Sequence, residues 1–170
     1  MDAVPTPRIR CSDAVMIEFQ LSNIEVVDVH SSDSLAVSIQ SLDRSCFGDL
    51  ECLNIREECD HPLGHVWAAV GVGSGELFGF VVAWLVADEL HILTIAVDAG
   101  RRRCGVGRHL MDHAIRFAKH AGARLVLLEV RSGNLAATQL YRSLGFSRVR
   151  VRTGYYRDGE DAVEMMLSIG

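Results

Sequence analysis

No stretch of this 170-residue chain is both long and apolar enough to span a bilayer, and the opening "MDAVPTPRIR" has no apolar signal core. A membrane role is therefore not expected, and a cytoplasmic one is. The chain also lacks a basic excess. Its net charge is −5, which argues against nucleic acid or an anionic membrane surface as partner, because both need a broad basic face. No C-x-x-C occurs among the five cysteines, Cys11, Cys46, Cys52, Cys59 and Cys104. An odd count at scattered spacings makes a disulfide framework or zinc ribbon unexpected. His61 and His65 are four apart but flank Pro62 and Gly64, so they do not share a helix face, and no metal site is expected. Internal repeats and low-complexity tracts are missing too.

What is present suits one globular domain. Hydrophobic residues make up 49% and charged residues 23%. Residues 1–13 read as a flexible, proline-containing lead-in, and 14–170 as a single domain. "AVMIEFQLSNIEVVDVH" is β-branched and loosely alternating, so it predicts one or two strands. "SSDSLAVSIQSLDRSCF" predicts a helix with Leu35, Ile39 and Leu42 on its core stripe. "LECLNIREECD" predicts a second, short one. The runs "HVWAAVGV", "ELFGFVVAWLVADE" and "LHILTIAV" form a three-strand meander with tight turns. Val106, Leu110, Ala114, Phe117 and Ala121 then recur at helical spacing. "RLVLLEV" is a strand, "NLAATQLYRSL" a helix closed by Gly145, and "SRVRVRT" and "AVEMMLSI" two final strands. The order predicts an α+β (α/β) fold: a mixed, mostly antiparallel sheet of about seven strands flanked by about four helices. The single β-α-β crossover makes one neighbouring pair parallel.

Into this acidic chain "AGRRRCGVGRHL" (99–110) packs four arginines and three glycines. It lies between a strand and the first turn of a helix, where unpaired N–H groups and the helix dipole attract anions. Gly105 and Gly107 clear the way to the backbone. Arg102, Arg103 and Arg108 add charge, so a phosphate or pyrophosphate fits. A dinucleotide fingerprint would need glycine where Leu110 stands, and no Gly-Lys-Ser/Thr phosphate loop occurs.

The core Arg102-Arg103-Cys104-Gly105-Val106-Gly107 resembles the Q/R-x-x-G-x-G/A acetyl-CoA signature of the GNAT acetyltransferase superfamily. "LLEVRSGNLAATQLYRSLGF" and "GYYRDGEDAVEMML" follow the same family in register, over about residues 76–168. They are similar to its branch that acetylates protein N-termini. "SLDRSCF" looks like the family's first-helix ending, without the aromatic that often follows. The resemblance implies the GNAT fold, acetyl-CoA as cosubstrate and no metal. It implies a protein or peptide N-terminus as acceptor, a ribosomal protein being one candidate, and leaves room for an auxiliary subunit. It also implies that backbone groups of Arg103, Cys104, Gly105, Val106, Gly107 and Arg108 hold the pyrophosphate. Ile95, Ala96 and Val97 would pair with the pantetheine arm like an added strand. Glu129 becomes the general base, Asn134 a pantetheine contact, and Tyr141 the general acid at the sulfur.

The residues themselves leave alternatives open. Strand alternation puts Leu125, Leu127, Glu129 and Arg131 on one face, so Glu129 could simply pair with Arg131 in solvent. Asn134 and Tyr141, seven apart, would share a helical stripe. Tyr155 and Tyr156 could wall an acceptor groove or pack on the sheet. Cys104 could be an exposed, arginine-flanked thiol or a small core residue. A lysine or small-amine acetyltransferase, or a non-catalytic acetyl-CoA-binding subunit, would also fit the fold.

Overall fold

The computed structural model describes residues 23–49 and 51–170. The expected lead-in and the first part of the first strand region lie outside them. In chain order the elements are β1 (Ile24–Asp28), α1 (Ser34–Phe47), α2 (Ile55–Asp60), β2 (Gly64–Gly71), β3 (Leu77–Val86), β4 (Glu89–Val97), α3 (Val106–His120), β5 (Leu125–Arg131), α4 (Leu135–Ser143), β6 (Ser147–Arg152) and β7 (Ala162–Ser168). A 3₁₀ turn at Ala99–Arg101 joins β4 to the start of α3.

The seven strands form one sheet in the order β1-β2-β3-β4-β5-β7-β6. Every neighbouring pair is antiparallel except β4–β5, which α3 joins as a crossover. One face packs on α3 and α4 through Trp67, Leu90, Leu110, Met111 and Val126. The other packs on α1 and α2 through Ile39, Ile55, Val66, Phe80 and Val82. Each such side chain, fully buried, contributes about 1.5–3 kcal/mol of burial free energy. Among the described residues no helix is long and apolar enough to cross a membrane.

Two helical stripes differ from expectation by a step. In α3 the buried line is Val106, Leu110, Met111, Ala114 and Ala118, and Ala121 lies past the helix end. In α1 it is Ala36, Ile39 and Asp43, with Leu35 and Leu42 at its margins. Asp43 holds the chain after α1 in place, because its Oδ2 accepts the Leu53 N–H at 2.7 Å. Gln40 does the same, accepting from Ile55 N and donating to the Leu53 carbonyl. α4 ends as expected: Gly145 takes φ 94°, and Phe146 turns back onto Tyr141 with ring centroids 5.8 Å apart.

A bulge in β4 decides where the site can be. Val82 pairs with Thr94 and Ala83 with Ile92, so Leu93 is an extra residue. The bulge flips the alternation. Leu90 and Ile92 face α3, and beyond Leu93 it is Ile95 and Val97 that do, while Ala96 faces α1.

Candidate active site

The parallel ladder between β4 and β5 runs only from Glu89–Leu125 to Ile92–Leu128. Past the Leu93 bulge the strands diverge. The wedge between them opens into a cavity of about 540 Å³ lined by Thr94, Ile95, Glu129, Val130, Tyr141 and Tyr156. Ile95, Asn134 and Tyr141 also line a second cavity, of about 670 Å³, between the end of β4, the glycine–arginine turn and α4. A third, of about 570 Å³, starts at Glu129 and runs the other way, toward Trp84, His91, Arg150 and Arg152.

The 670 Å³ cavity runs from a free strand edge to a cationic helix start. Ile95, Ala96 and Val97 line it beyond the point where the β4–β5 ladder stops, so that strand edge faces the cavity. Its far end is the start of α3. Gly105 caps that helix at φ 82°, and Arg103 is also left-handed at φ 65°. A left-handed arginine carries a backbone cost that persists only where surrounding structure imposes it. Arg102, Arg103, Gly105, Val106, Gly107 and Arg108 all line the cavity. Their attachments differ. Arg102 Nε donates to the Val97 carbonyl at 3.2 Å, and Arg108 donates to Ser143 Oγ at 2.6 Å, tying α3 to α4. Arg101 also lines the cavity, but its Nη2 is engaged by both Glu76 oxygens and its guanidinium lies over the Phe78 ring.

Cys104 takes the second of the two readings left open, that of a small core residue. It is 2% exposed and sits in the core beside α3, so its sulfur is not presented to the loop. Only its backbone belongs to the turn. The cysteine that lines the coenzyme-sized cavity is Cys46, a free thiol at the end of α1, 3.8 Å from the Arg102 guanidinium.

Asn134 corrects another detail. It is the N-cap of α4 rather than a residue on its stripe, and its Oδ1 accepts from Ala137 N at 3.1 Å. Capping uses the oxygen and leaves the amide NH₂ available to a ligand. Tyr141 is buried, and burial pushes its hydroxyl up to about 12, with Tyr156 adding to the effect. It holds its proton throughout the neutral range.

Glu129 does not pair with Arg131. Alternation along β5 buries Val126, Leu128 and Val130 and turns Leu127, Glu129 and Arg131 to the cleft side. Arg152 of β6 takes Glu129 Oε1 in an ion pair. Arg131 binds Glu51 at 2.6 Å, Asp158 at 2.8 Å and Glu160 at 2.9 Å, and lies 3.9 Å over the Tyr156 ring. The Glu51 and Glu160 hydrogen bonds raise Arg131 further above its usual range; Asp158 is held below its own chiefly by the Glu160 N–H and Glu160 chiefly by the Gly133 N–H, with Arg131 adding to both. Tyr155 and Tyr156 meet edge to face and both border the wedge. Hydrogen bonding to Glu129 pushes the Tyr155 hydroxyl up. The Arg-x-Arg alternation of "SRVRVRT" is the signal that places Arg150 and Arg152 on one face. Nothing local announces the Glu51 contact.

His61 stacks on Trp84 and His65 on Trp67, which separates the two histidines. Among the described residues no cluster of three or more His, Cys, Asp or Glu side chains could hold a metal.

A mixed seven-stranded sheet splayed at its one parallel pair, with a glycine–arginine turn opening a helix at the splay, defines an acyl-transferring fold built around a coenzyme A cleft. The chain belongs to the Acetyltransferase (GNAT) family, whose pattern matches residues 36–146. It is 41% identical over 99 residues to the [ribosomal protein bS18]-alanine N-acetyltransferase of Escherichia coli K12, covering 56% of this chain and 67% of that one. The crystal structure of the Escherichia coli ribosomal-protein-S18-alanine N-acetyltransferase superposes with TM-score 0.72 at 29% identity, over 86% of this chain and 94% of that one. N-alpha-acetyltransferase RimI of Mycobacterium tuberculosis is 43% identical over 83 residues, 48% of this chain and 51% of that one.

Proposed function

We propose that this enzyme transfers the acetyl group of acetyl-CoA to the N-terminal α-amino group of a protein or peptide. The observation that carries the reading is the wedge where β4 leaves β5, with half-buried Glu129 and proton-bearing Tyr141 on one cavity. The bS18-alanine relatives make a ribosomal protein that begins with alanine the first acceptor to try.

Acetyl-CoA, when bound, supplies the thioester carbonyl that the amine attacks. The start of α3 and the Arg102, Arg103 and Arg108 side chains would hold its phosphates. Asn134 and the edge of Ile95–Val97 would hold its arm. Glu129 takes the proton from the acceptor ammonium, directly or through a water. Tyr141 keeps a proton for the departing sulfur. The acceptor class follows from acidity. An α-amino group has a pKa of about 7.7–8.0 and a lysine about 10.4, a gap worth ~3.4 kcal/mol in reaching the neutral amine. A carboxylate suffices as base for the first and is poor for the second.

The deciding experiment is acetyl transfer to short peptides with varied first residues, beside an N-terminally blocked, lysine-containing control. Transfer to free N-termini and none to the control is expected. Equal transfer to the control points to a lysine acetyltransferase on the same fold. Coenzyme binding without any transfer points to a non-catalytic subunit.

A further inference from the structure

Glu129 and Glu164 stand directly opposite each other on β5 and β7. Like charges in that position destabilise a strand pair unless cations are supplied. β6 supplies them from the sheet edge. Arg150 binds Glu164 at 2.7 Å, and Arg152 binds Glu129. The nearer arginine in sequence, Arg131, is committed to Glu51, Asp158 and Glu160. Among the described residues, Arg152 is therefore the cation on Glu129. Its side chain stays 39% exposed, and its guanidinium is 5.0 Å from the Tyr155 ring. Tyr155 gives it a second resting place by cation–π contact.

Two cations want the same carboxylate: Arg152 in the resting enzyme and the ammonium of the acceptor during turnover. We propose that Arg152 is a positioning residue that holds the Glu129 carboxylate oriented at the wedge, and then yields it to the incoming α-ammonium. The proposal rests on the N-terminal acetyltransferase reading with Glu129 as base. Exchanging one cation for another leaves no bare charge in the half-buried mouth, where an unpaired carboxylate is costly. Arginine keeps its own proton, so it cannot short-circuit the transfer. Once the product amide has left, Arg152 returns to Glu129 and restores the resting ion pair.

The test compares Arg152→Gln and Arg152→Lys, each in the native and the Glu129→Gln backgrounds, on an alanine-starting peptide. Coenzyme A affinity by calorimetry reports on the fold. For Arg152→Gln the expected result is a kcat about tenfold lower, peptide KM equal or lower because the competing cation is gone, and coenzyme affinity within about twofold. Arg152→Lys recovers most of the kcat. In the Glu129→Gln background Arg152→Gln costs nothing further, since both changes remove one interaction. Native kcat in Arg152→Gln overturns the proposal. So does an equal further loss in the Glu129→Gln background, or a joint loss of coenzyme affinity and melting temperature. Two controls report separately on the reading beneath. A native enzyme inert toward every free N-terminus, or Glu129→Gln with native turnover, removes that reading and the proposal with it.

Discussion

Arg131 and Glu51 lie 80 residues apart in sequence and meet in a bidentate ion pair of 2.6 and 2.8 Å. The pair joins the end of β5 to the chain that leaves α1. Through Asp158 and Glu160, Arg131 also holds the β6–β7 hairpin, and Glu160 in turn accepts from Gly133 N–H at 2.8 Å. Three segments around the wedge are thus tied to one guanidinium, stacked on Tyr156.

Arg131→Gln should therefore loosen the acceptor side and leave the coenzyme side alone. Peptide KM is expected to rise about tenfold with coenzyme A affinity unchanged. The Arg131 side chain is 26% exposed and its partners more so, so solvent screening limits the stability loss to about 1 kcal/mol, or roughly 2–4 °C in Tm. Kinetics and thermal melts check both numbers. An unchanged peptide KM would show that the tie does not shape the acceptor site.

Glu129→Gln should lower kcat by about 10²-fold with little change in coenzyme affinity, because a lost base acts on the transition state. Tyr141→Phe should cost less, since a thiolate leaves without much help. The raised Tyr141 hydroxyl, up to about 12, adds a pH consequence. Its neutral form is favoured in the fold, so that share of stability is complete below pH 10 and fades as pH rises through 12. Tyr141→Phe should remove that fading in alkaline melts.

At the turn, the two glycines should fail for different reasons. Gly105 has φ 82°, so a β-branched residue there strains the backbone and misplaces the first N–H groups of α3. A Cβ at Gly107 would meet Leu140 at 3.4 Å and Val97 at 3.7 Å, which is ordinary contact. Gly107→Ala should bind coenzyme A with reduced affinity, and Gly107→Val, filling the gap between β4 and α4, should not bind. Calorimetry on folded variants measures this; native affinity in Gly107→Val would remove the turn from the coenzyme site.

Much of this was legible in the chain. The meander, the crossover helix, the glycine cap at Gly145 and the glycine–arginine turn all carry local signals of period, punctuation or charge. Other features do not. The Leu93 bulge is silent because "LHILTIAV" is apolar on either register, yet it opens the wedge. Cys104 lies in a turn, where neither helical nor strand periodicity says which way a side chain points. Asn134 was readable as an N-cap by residue type, but spacing to Tyr141 suggested a shared stripe. The ion pairs of Glu129 and Arg131 depend on which strands become neighbours. A nearby opposite charge two residues away misleads there, because the sheet offers each a better partner.

The cysteines give a last expectation. Cys46 is free and lines the coenzyme-sized cavity, whereas Cys104 is buried in the core. Cys59 is also free, but burial, with Asp60, Asp33 and Glu58 nearby, pushes its thiol up to about 11. The thiolate is the reactive form, so at pH 7 Cys59 reacts slowly. Brief iodoacetamide treatment should label Cys46 well ahead of Cys59 and leave Cys104 unmodified. The Cys46 adduct projects into space the coenzyme needs, so labelling should abolish acetyl-CoA binding, and prior coenzyme A should protect. Cys52 does not line that cavity and serves as the internal control: its labelling should be indifferent to coenzyme A. Peptide mapping by mass spectrometry, with and without coenzyme A, reads all four sites at once. Equal protection of Cys46 and Cys52 would indicate a general tightening of the fold, and absence of protection at Cys46 would place the coenzyme elsewhere.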